Sequence, residues 1–361
     1  VSDPAPAKAR RRPSTKRKAL FAFVACALLL GVTEGAFQIR EIVRSRRKPR
    51  LPTTSHEYLG IALIPGATYE RKDQDRKMTI NRLGMRGPEV SEKQAGKLRI
   101  LCVGGSTTFG LYASSNETTW PARLEQQLLA AGKSVEVLNA GAPGWTSRAS
   151  MTNLELRGFA LQPDIVVVYH AYNDLMSNLE DAYVTESKID DVEALRKPSV
   201  KHPLGWSALF RFMRSRIRSP HRELREKRDV LREVGAEAFA RNLRRLIRRS
   251  REVGAKVMLC SFPTAYRDTF EASKADKVPH VELWYDSLCP ITYPNLIKGM
   301  ALYNERLRAV CAEAKAPLVD LAKTFPPQVE LYHSPLHHSD AGEKRVAEAV
   351  AKALQREGWL P

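Results

Sequence analysis

Three kinds of apolar pattern follow one another along the 361-residue chain. The first is the unbroken run of residues 19–32 (ALFAFVACALLLGV), with seven Lys and Arg between Lys8 and Lys18 ahead of it. A basic flank before an apolar stretch marks an export signal. Carried on to Phe37 or Ile39, the run reaches the ~20 residues a membrane-spanning helix needs, with Glu34 near one interface. Residues 1–18 therefore read as a basic tail and residues 19–39 as a single transmembrane signal-anchor. The alternatives are a cleaved signal, for which well-placed small residues are lacking, and a lipoprotein signal at Cys26, which Phe23-Val24-Ala25 fits poorly. Arg40, Arg44, Arg46, Arg47, Lys48 and Arg50 flank the far end, so the positive-inside rule separates the two orientations weakly. The expectation is the N-terminus inside and the bulk of the chain on the extracytoplasmic side.

The second pattern, over residues 40–96, is polar and punctuated by Pro and Gly, with a short strand-like piece at 77–80. It predicts a linker and lead-in subdomain. From residue 97 a third pattern begins. Short apolar runs at 98–103, 135–138, 164–169, 256–261 and 317–321 alternate with helix-spaced segments at 119–131, 147–161, 238–253, 297–314 and 340–357. The DIVVVY run at 164–169 is apolar throughout its interior, as a strand buried on both faces must be. Strands alternating with helices predict a parallel five-stranded sheet with helices on both faces, an α/β domain over 97–361. A basic, Pro-containing stretch at about 175–235 interrupts the alternation and reads as an insertion over one sheet edge.

Composition is that of an ordinary globular protein, 43% hydrophobic with 20 Gly and 22 Pro. It excludes a wholly disordered, collagen-like or disulfide-scaffold chain. The net charge of +18 invites a nucleic-acid reading until it is mapped. Residues 1–50 hold thirteen Lys and Arg against Asp3, Glu34 and Glu41, and residues 201–251 hold sixteen against five acids. The first block flanks the apolar run. The second includes Arg241, Arg244, Arg245, Arg248 and Arg249 beside Phe239, Leu243, Leu246 and Ile247, as on a solvated or headgroup-facing amphipathic helix. No base-stacking motif accompanies either block, so no nucleic-acid partner is expected; the sequence names no protein partner. Five Cys are widely spaced and no C-x-x-C occurs, which argues against a zinc or redox pair. Cys102 and Cys260 read as core residues, and for Cys289 and Cys311 both free thiols and a pair formed in an oxidising compartment stay open.

In parallel sheets the loops leaving the carboxyl ends of the strands hold the site, and four such loops here are distinctive. They are Gly104-Gly105-Ser106-Thr107-Thr108-Phe109-Gly110, the segment 139–147 (NAGAPGWTS), His170-Ala171-Tyr172-Asn173-Asp174, and the segment 333–342 (HSPLHHSDAG). A Ser on a Gly-rich turn opening a helix has an exposed hydroxyl beside backbone N–H donors. A second Gly-rich turn and an Asn amide supply further donors, and three donors on one point make an oxyanion hole. A His in the last loop can take the Ser proton. Each residue also has a plain reading: Ser106 as a helix cap, Gly144 as a turn, Asn173 and Asp174 as loop braces, and His170, His333 and His338 as packing residues. His338 is the alternative base if the loop is shifted. No Asp, Glu or Cys set accompanies the histidines, so neither a metal nor a cofactor is expected.

Taken in order, the four blocks resemble those of the SGNH (GDSL-type) hydrolases, over roughly residues 98–355, with Asn81-Arg82-Leu83-Gly84-Met85-Arg86-Gly87 as an upstream element. The resemblance implies a flavodoxin-like three-layer sandwich. It makes Ser106 the nucleophile, Gly144 and Asn173 oxyanion donors beside the Ser106 N–H, and His337 the base. One position departs from the family. The acid that orients the base stands three residues before it, and Ser334 is found there. Asp340, which reads as a helix cap, and Glu330 are the nearest carboxylates in sequence. The implied function is a serine esterase acting on acyl or acetyl esters of an envelope lipid or glycan. The alternatives are an O-acyltransferase modifying an exported polysaccharide and a degenerate, non-catalytic binding member.

Overall fold

The computed structural model describes residues 14–47, 51–56, 58–71, 76–177, 179, 207–210, 212–213 and 227–360. The chain divides into two units, Val1–Pro49 with Val200–Arg222, and Arg50–Ser199 with Glu223–Pro361. In the first, helix α1 (Thr15–Arg47) runs past the apolar stretch, and its segment Thr15–Arg40 is long and apolar enough to cross a membrane or to serve as a signal sequence. Leu20, Phe21, Phe23 and Leu28 lie exposed along it. Glu34 is not left to water. Its carboxylate accepts from the Ser207 hydroxyl at 2.6 Å and from the backbone N–H groups of Ala208 (2.6 Å) and Leu209 (3.1 Å), at the start of a short helical segment from the insertion. Unpaired N–H groups at a helix start attract a carboxylate. Phe212 packs on Phe37, with the Arg40 guanidinium over its ring. Most of the rest of the expected insertion lies outside the described residues.

The second unit begins with two hairpins, β1 (Thr53–His56) with β2 (Gly60–Leu63) and β3 (Thr68–Arg71) with β4 (Arg76–Thr79). Then come β5 (Leu98–Gly104), α2 (Ser106–Phe109), α3 (Trp120–Ala130), β6 (Val135–Asn139), α4 (Ser147–Asn153), β7 (Ile165–Tyr169) and α5 (Tyr172–Ser177). The remainder is α6 (Glu233–Glu252), β8 (Lys256–Cys260), α7 (Phe270–Ala275), α8 (Val281–Leu288), α9 (Tyr293–Glu313), β9 (Leu318–Val319), α10 (Leu321–Thr324) and α11 (Asp340–Arg356). The five apolar runs form one parallel sheet in the order β6-β5-β7-β8-β9. Leu101 lies opposite Leu138 on one side and Val166 on the other, and β7 is buried from end to end. The β5–β6 connection runs one way along the sheet and the later ones run back. Right-handed crossovers therefore put α3 and α11 on one face and α4, α6 and α9 on the other, and the helices pack within those two groups. This is the expected three-layer α/β sandwich. The order reverses beside β5, and a ligand crevice opens at such a switch point.

Two sequence expectations are refined. The helix expected at 147–161 ends at Asn153 and continues as a widened π turn (Leu154–Gly158) and a tight turn (Phe159–Leu161). Of the basic block on α6, Arg244 and Arg248 are exposed and Arg241, Arg245 and Arg249 half-buried. Phe239, Leu243, Leu246 and Ile247 are buried, while Arg244 pairs with Glu313 and Arg249 with Glu155 across to neighbouring helices.

The hairpins support the site loops. Leu63, Met78 and Ile80 form a small second core with Phe109, Ala142 and Trp145 from the loops after β5 and β6, and the Trp145 indole donates to the Ile61 carbonyl at 2.7 Å. The buried Arg86 guanidinium donates to the carbonyls of Phe109 (3.1 Å), Gly110 and Ser115 (2.7 Å) and to the Asn116 amide oxygen (3.0 Å). Burial lowers its pKa to about 10. Replacing Arg86 by Met leaves several buried carbonyls without a donor. The expected loss is about 3 kcal/mol of unfolding free energy in a urea titration, and a change under about 1 kcal/mol would show that the loop holds without it.

Candidate active site

Ser106 opens α2 directly after β5, at a point where the backbone passes so close to its neighbours that side chains are excluded. A Cβ on Gly105 would stand 2.6 Å from the Asn173 amide nitrogen. The short helix ends at Gly110, in the left-handed region. Asn173 comes from the start of α5, and its Nδ2 donates to the Trp145 carbonyl at 2.9 Å. An Asn amide carries two N–H groups, so this contact fixes the direction of the other. Gly144, at φ +81°, turns the loop after β6 in a conformation that L side chains rarely adopt. Asp174 ties that loop to α5. Its buried carboxylate accepts from the Ser147 N–H (3.1 Å) and hydroxyl (2.6 Å), the structural part expected of it.

His337 arrives from the loop before α11. Its Nε2 lies 2.7 Å from the Ser106 hydroxyl oxygen, and its Nδ1 lies 2.8 Å from the Ser334 hydroxyl oxygen. Ser106, Gly144, Asn173 and His337 all line one cavity of about 290 Å³. Of the two carboxylates nearest in sequence, that of Asp340 is engaged elsewhere. Asp340 holds the Ser114 N–H (3.0 Å) and hydroxyl, and the cap of α11 is Ser339 rather than Asp340. Glu330 is exposed, and only its carbonyl takes part in the loop, accepting from Ser339. His338 turns to the Tyr169 hydroxyl (3.0 Å), His333 takes a bond from Arg76 (2.8 Å), and His170 meets Ser150 (2.8 Å). Among the described residues no group of three or more His, Cys, Asp or Glu is placed to hold a metal ion, and all five Cys are free thiols.

Two rings missed by sequence reasoning flank the His337 imidazole. They are Tyr112 (centroids 5.1 Å apart) and Trp284 (4.9 Å). Trp284 sits on α8, where Val281, Trp284, Tyr285 and Leu288 show the i, i+3, i+4, i+7 spacing that marks a helix face. Trp284 and Leu288 bound the cavity on one side, with Met176, Phe262, Tyr172 and Leu336 completing an apolar wall.

Residues 102–345, more than half of the chain, match the family model described as GDSL-like lipase/acylhydrolase. The chain belongs to this family. Curated proteins show no match. Among solved structures, the chain is similar to the acetyl xylan esterase AlAXEase (15% identity, 71% of this chain and 100% of that one, TM-score 0.43). It is similar too to a lipase/acylhydrolase from Enterococcus faecalis (18%, 73% and 97%, TM-score 0.43). A third likeness is to a catalytic mutant of the acetylxylan esterase Axe2 from Geobacillus stearothermophilus (17%, 73% and 96%, TM-score 0.43).

Burial keeps three histidines of this GDSL-family chain neutral. Desolvation pulls His170, His337 and His338 each down to about 3, and for His337 the neighbouring His338 and His333 add to it. In the unfolded chain each takes up a proton near the ordinary value of 6.5. Their contribution is therefore fully present above pH 6.5 and lost as pH falls toward 3. The urea midpoint is expected to drop between pH 7.5 and pH 4.5, with a smaller drop in His170→Gln. A drop in His170→Gln as large as in the parent chain would mean that the His170 ring is not held neutral by burial.

Proposed function

We propose that this chain is an ester hydrolase that works through an acyl-enzyme on Ser106, tethered to a membrane by α1 with its catalytic unit on the extracytoplasmic side. The observation that carries the reading is the 2.7 Å contact between the Ser106 hydroxyl and His337 Nε2, inside a cavity also lined by Gly144 and Asn173. Ser106 Oγ bonds to the ester carbonyl carbon as His337 Nε2 takes its proton, and the carbonyl π pair moves onto oxygen. The N–H groups of Ser106 and Gly144 and the Asn173 amide stabilise that oxyanion. On collapse the C–O bond to the alcohol breaks and the alcohol leaves with the proton from His337. Water then repeats the sequence and releases the acid.

The apolar wall from Met176 to Leu336 supports an acyl group longer than acetyl, and the exposed apolar helix α1 supports an ester of an envelope lipid or glycan as substrate. Burying each CH₂ is worth about 0.8 kcal/mol, or up to about fourfold in kcat/KM per carbon. On p-nitrophenyl esters kcat/KM is expected to climb from acetyl through hexanoyl in the full chain and to stay flat in Trp284→Ala. A wild-type preference for acetyl would refute the apolar acyl site. Ser106→Ala should abolish turnover at unchanged Tm, and undiminished hydrolysis would refute the nucleophile. Acyl transfer to an added sugar in preference to water would instead make the chain an acyltransferase.

A further inference from the structure

The position that departs from the family sits against the base, and its bonding is specified in detail. Ser334 is fully buried. Its hydroxyl oxygen accepts from the backbone N–H groups of His337 (3.2 Å) and Leu336 (3.4 Å) and lies 2.8 Å from His337 Nδ1. A Ser hydroxyl has two lone pairs and one proton. Two backbone donors occupy the lone pairs, which leaves the O–H itself for the imidazole. A neutral imidazole carries one N–H and one bare nitrogen, and the partner of one nitrogen decides which is which.

We propose that Ser334 donates its proton to His337 Nδ1 and so holds the ring with its own proton on Nε2, the tautomer that cannot act as base toward Ser106. The inference rests on the reading of Ser106 and His337 as nucleophile and base. Ser334 is then a positioning residue that throttles the site. In the resting form Nε2–H donates across the 2.7 Å contact to Ser106. For turnover the ring proton must move to Nδ1, so that Nε2 is free to take the Ser106 proton. The Ser334 hydroxyl must then rotate and accept from Nδ1–H, which displaces one backbone donor from its oxygen. The His337 N–H has a second acceptor in the Ser334 carbonyl at 3.3 Å, so the site can reach the productive form, at reduced population. A carboxylate at this position has no proton to give. It has lone pairs enough for both backbone donors and for Nδ1–H, and so it enforces the productive tautomer. In serine triads, replacing that carboxylate by a group that favours the wrong tautomer lowers turnover by about 10⁴-fold.

The test reads the tautomer and the rate separately. The full chain, labelled with ¹⁵N-histidine in detergent micelles, gives the ring-nitrogen shifts of His337, assigned by their loss in His337→Gln. The expected pattern is a bare Nδ1 and a protonated Nε2, exchanged in Ser334→Asp. A bare Nε2 in the wild-type chain would overturn the proposal. On p-nitrophenyl butyrate, Ser334→Asp is expected to raise kcat/KM at least tenfold, and Ser334→Ala, which removes the misplaced donor, to match or exceed wild type. A tenfold loss in Ser334→Ala at unchanged Tm would mean that Ser334 accepts from Nδ1–H, contrary to the proposal. If Ser334→Asp does not fold, the wild-type spectrum and Ser334→Ala still decide. If no folded variant hydrolyses esters, the esterase reading fails, while the spectrum still settles the tautomer.

Discussion

The site depends on how closely the backbone after β5 approaches the start of α5. A parallel sheet whose order reverses at β5 places the carboxyl ends of β5 and β7 side by side. The Asn173 side chain fits between them only because Gly105 carries none: a Cβ there would stand 2.6 Å from the Asn173 amide nitrogen. From that near-contact the remaining geometry follows. Ser106 is held at the mouth of the crevice, and Asn173 is braced by the Trp145 carbonyl. Trp145 is in turn anchored on the first hairpin.

Much of this was legible in the chain, and what was not has physical causes. The five strands stand where short apolar runs are, because strands covered on both faces are mostly apolar; the buried Arg99 of β5 is tolerated by its pairing with Glu136 of β6. Ser106, Gly144 and Asn173 follow the carboxyl ends of β5, β6 and β7 and His337 lies in the loop before α11, in segments whose glycines and small residues mark them out, and the structure brings all four to one cavity. The hairpins at 53–79 left only a faint trace, since four-residue strands are too short to show a period. Their packing against Phe109, Ala142 and Trp145 is set by tertiary contact alone. Arg86 stands in the upstream element at 81–87, but its burial against the Phe109 and Ser115 carbonyls is visible only in the structure. The helix at 281–288 carries a readable spacing, but its place beside His337 is set by tertiary contact.

The excess of positive charge sorts in the same way. Around α1 it flanks an apolar helix long enough to span a bilayer, and on α6 it forms a face tied down by Glu155 and Glu313. Neither block supplies the chemistry. On the proposed reading the chemistry resides in the cavity around Ser106, where desolvation pulls the His337 imidazole down to about 3. In the proposed control of the tautomer, the Ser334 hydroxyl, 2.8 Å from Nδ1, sets which of its nitrogens is free. On the proposed mechanism, fold and catalytic competence are set by different residues, the first by the packed sheet and its glycine turns, the second by Ser334.

The central claim, that Ser106 is a nucleophile served by His337, is tested most directly by reaction of the full chain with a fluorophosphonate followed by peptide mass spectrometry. The account predicts one adduct, on the Ser106 peptide, whose formation slows at least tenfold in His337→Gln at unchanged Tm. An adduct on another serine, or labelling of Ser106 at the same rate without His337, would contradict it.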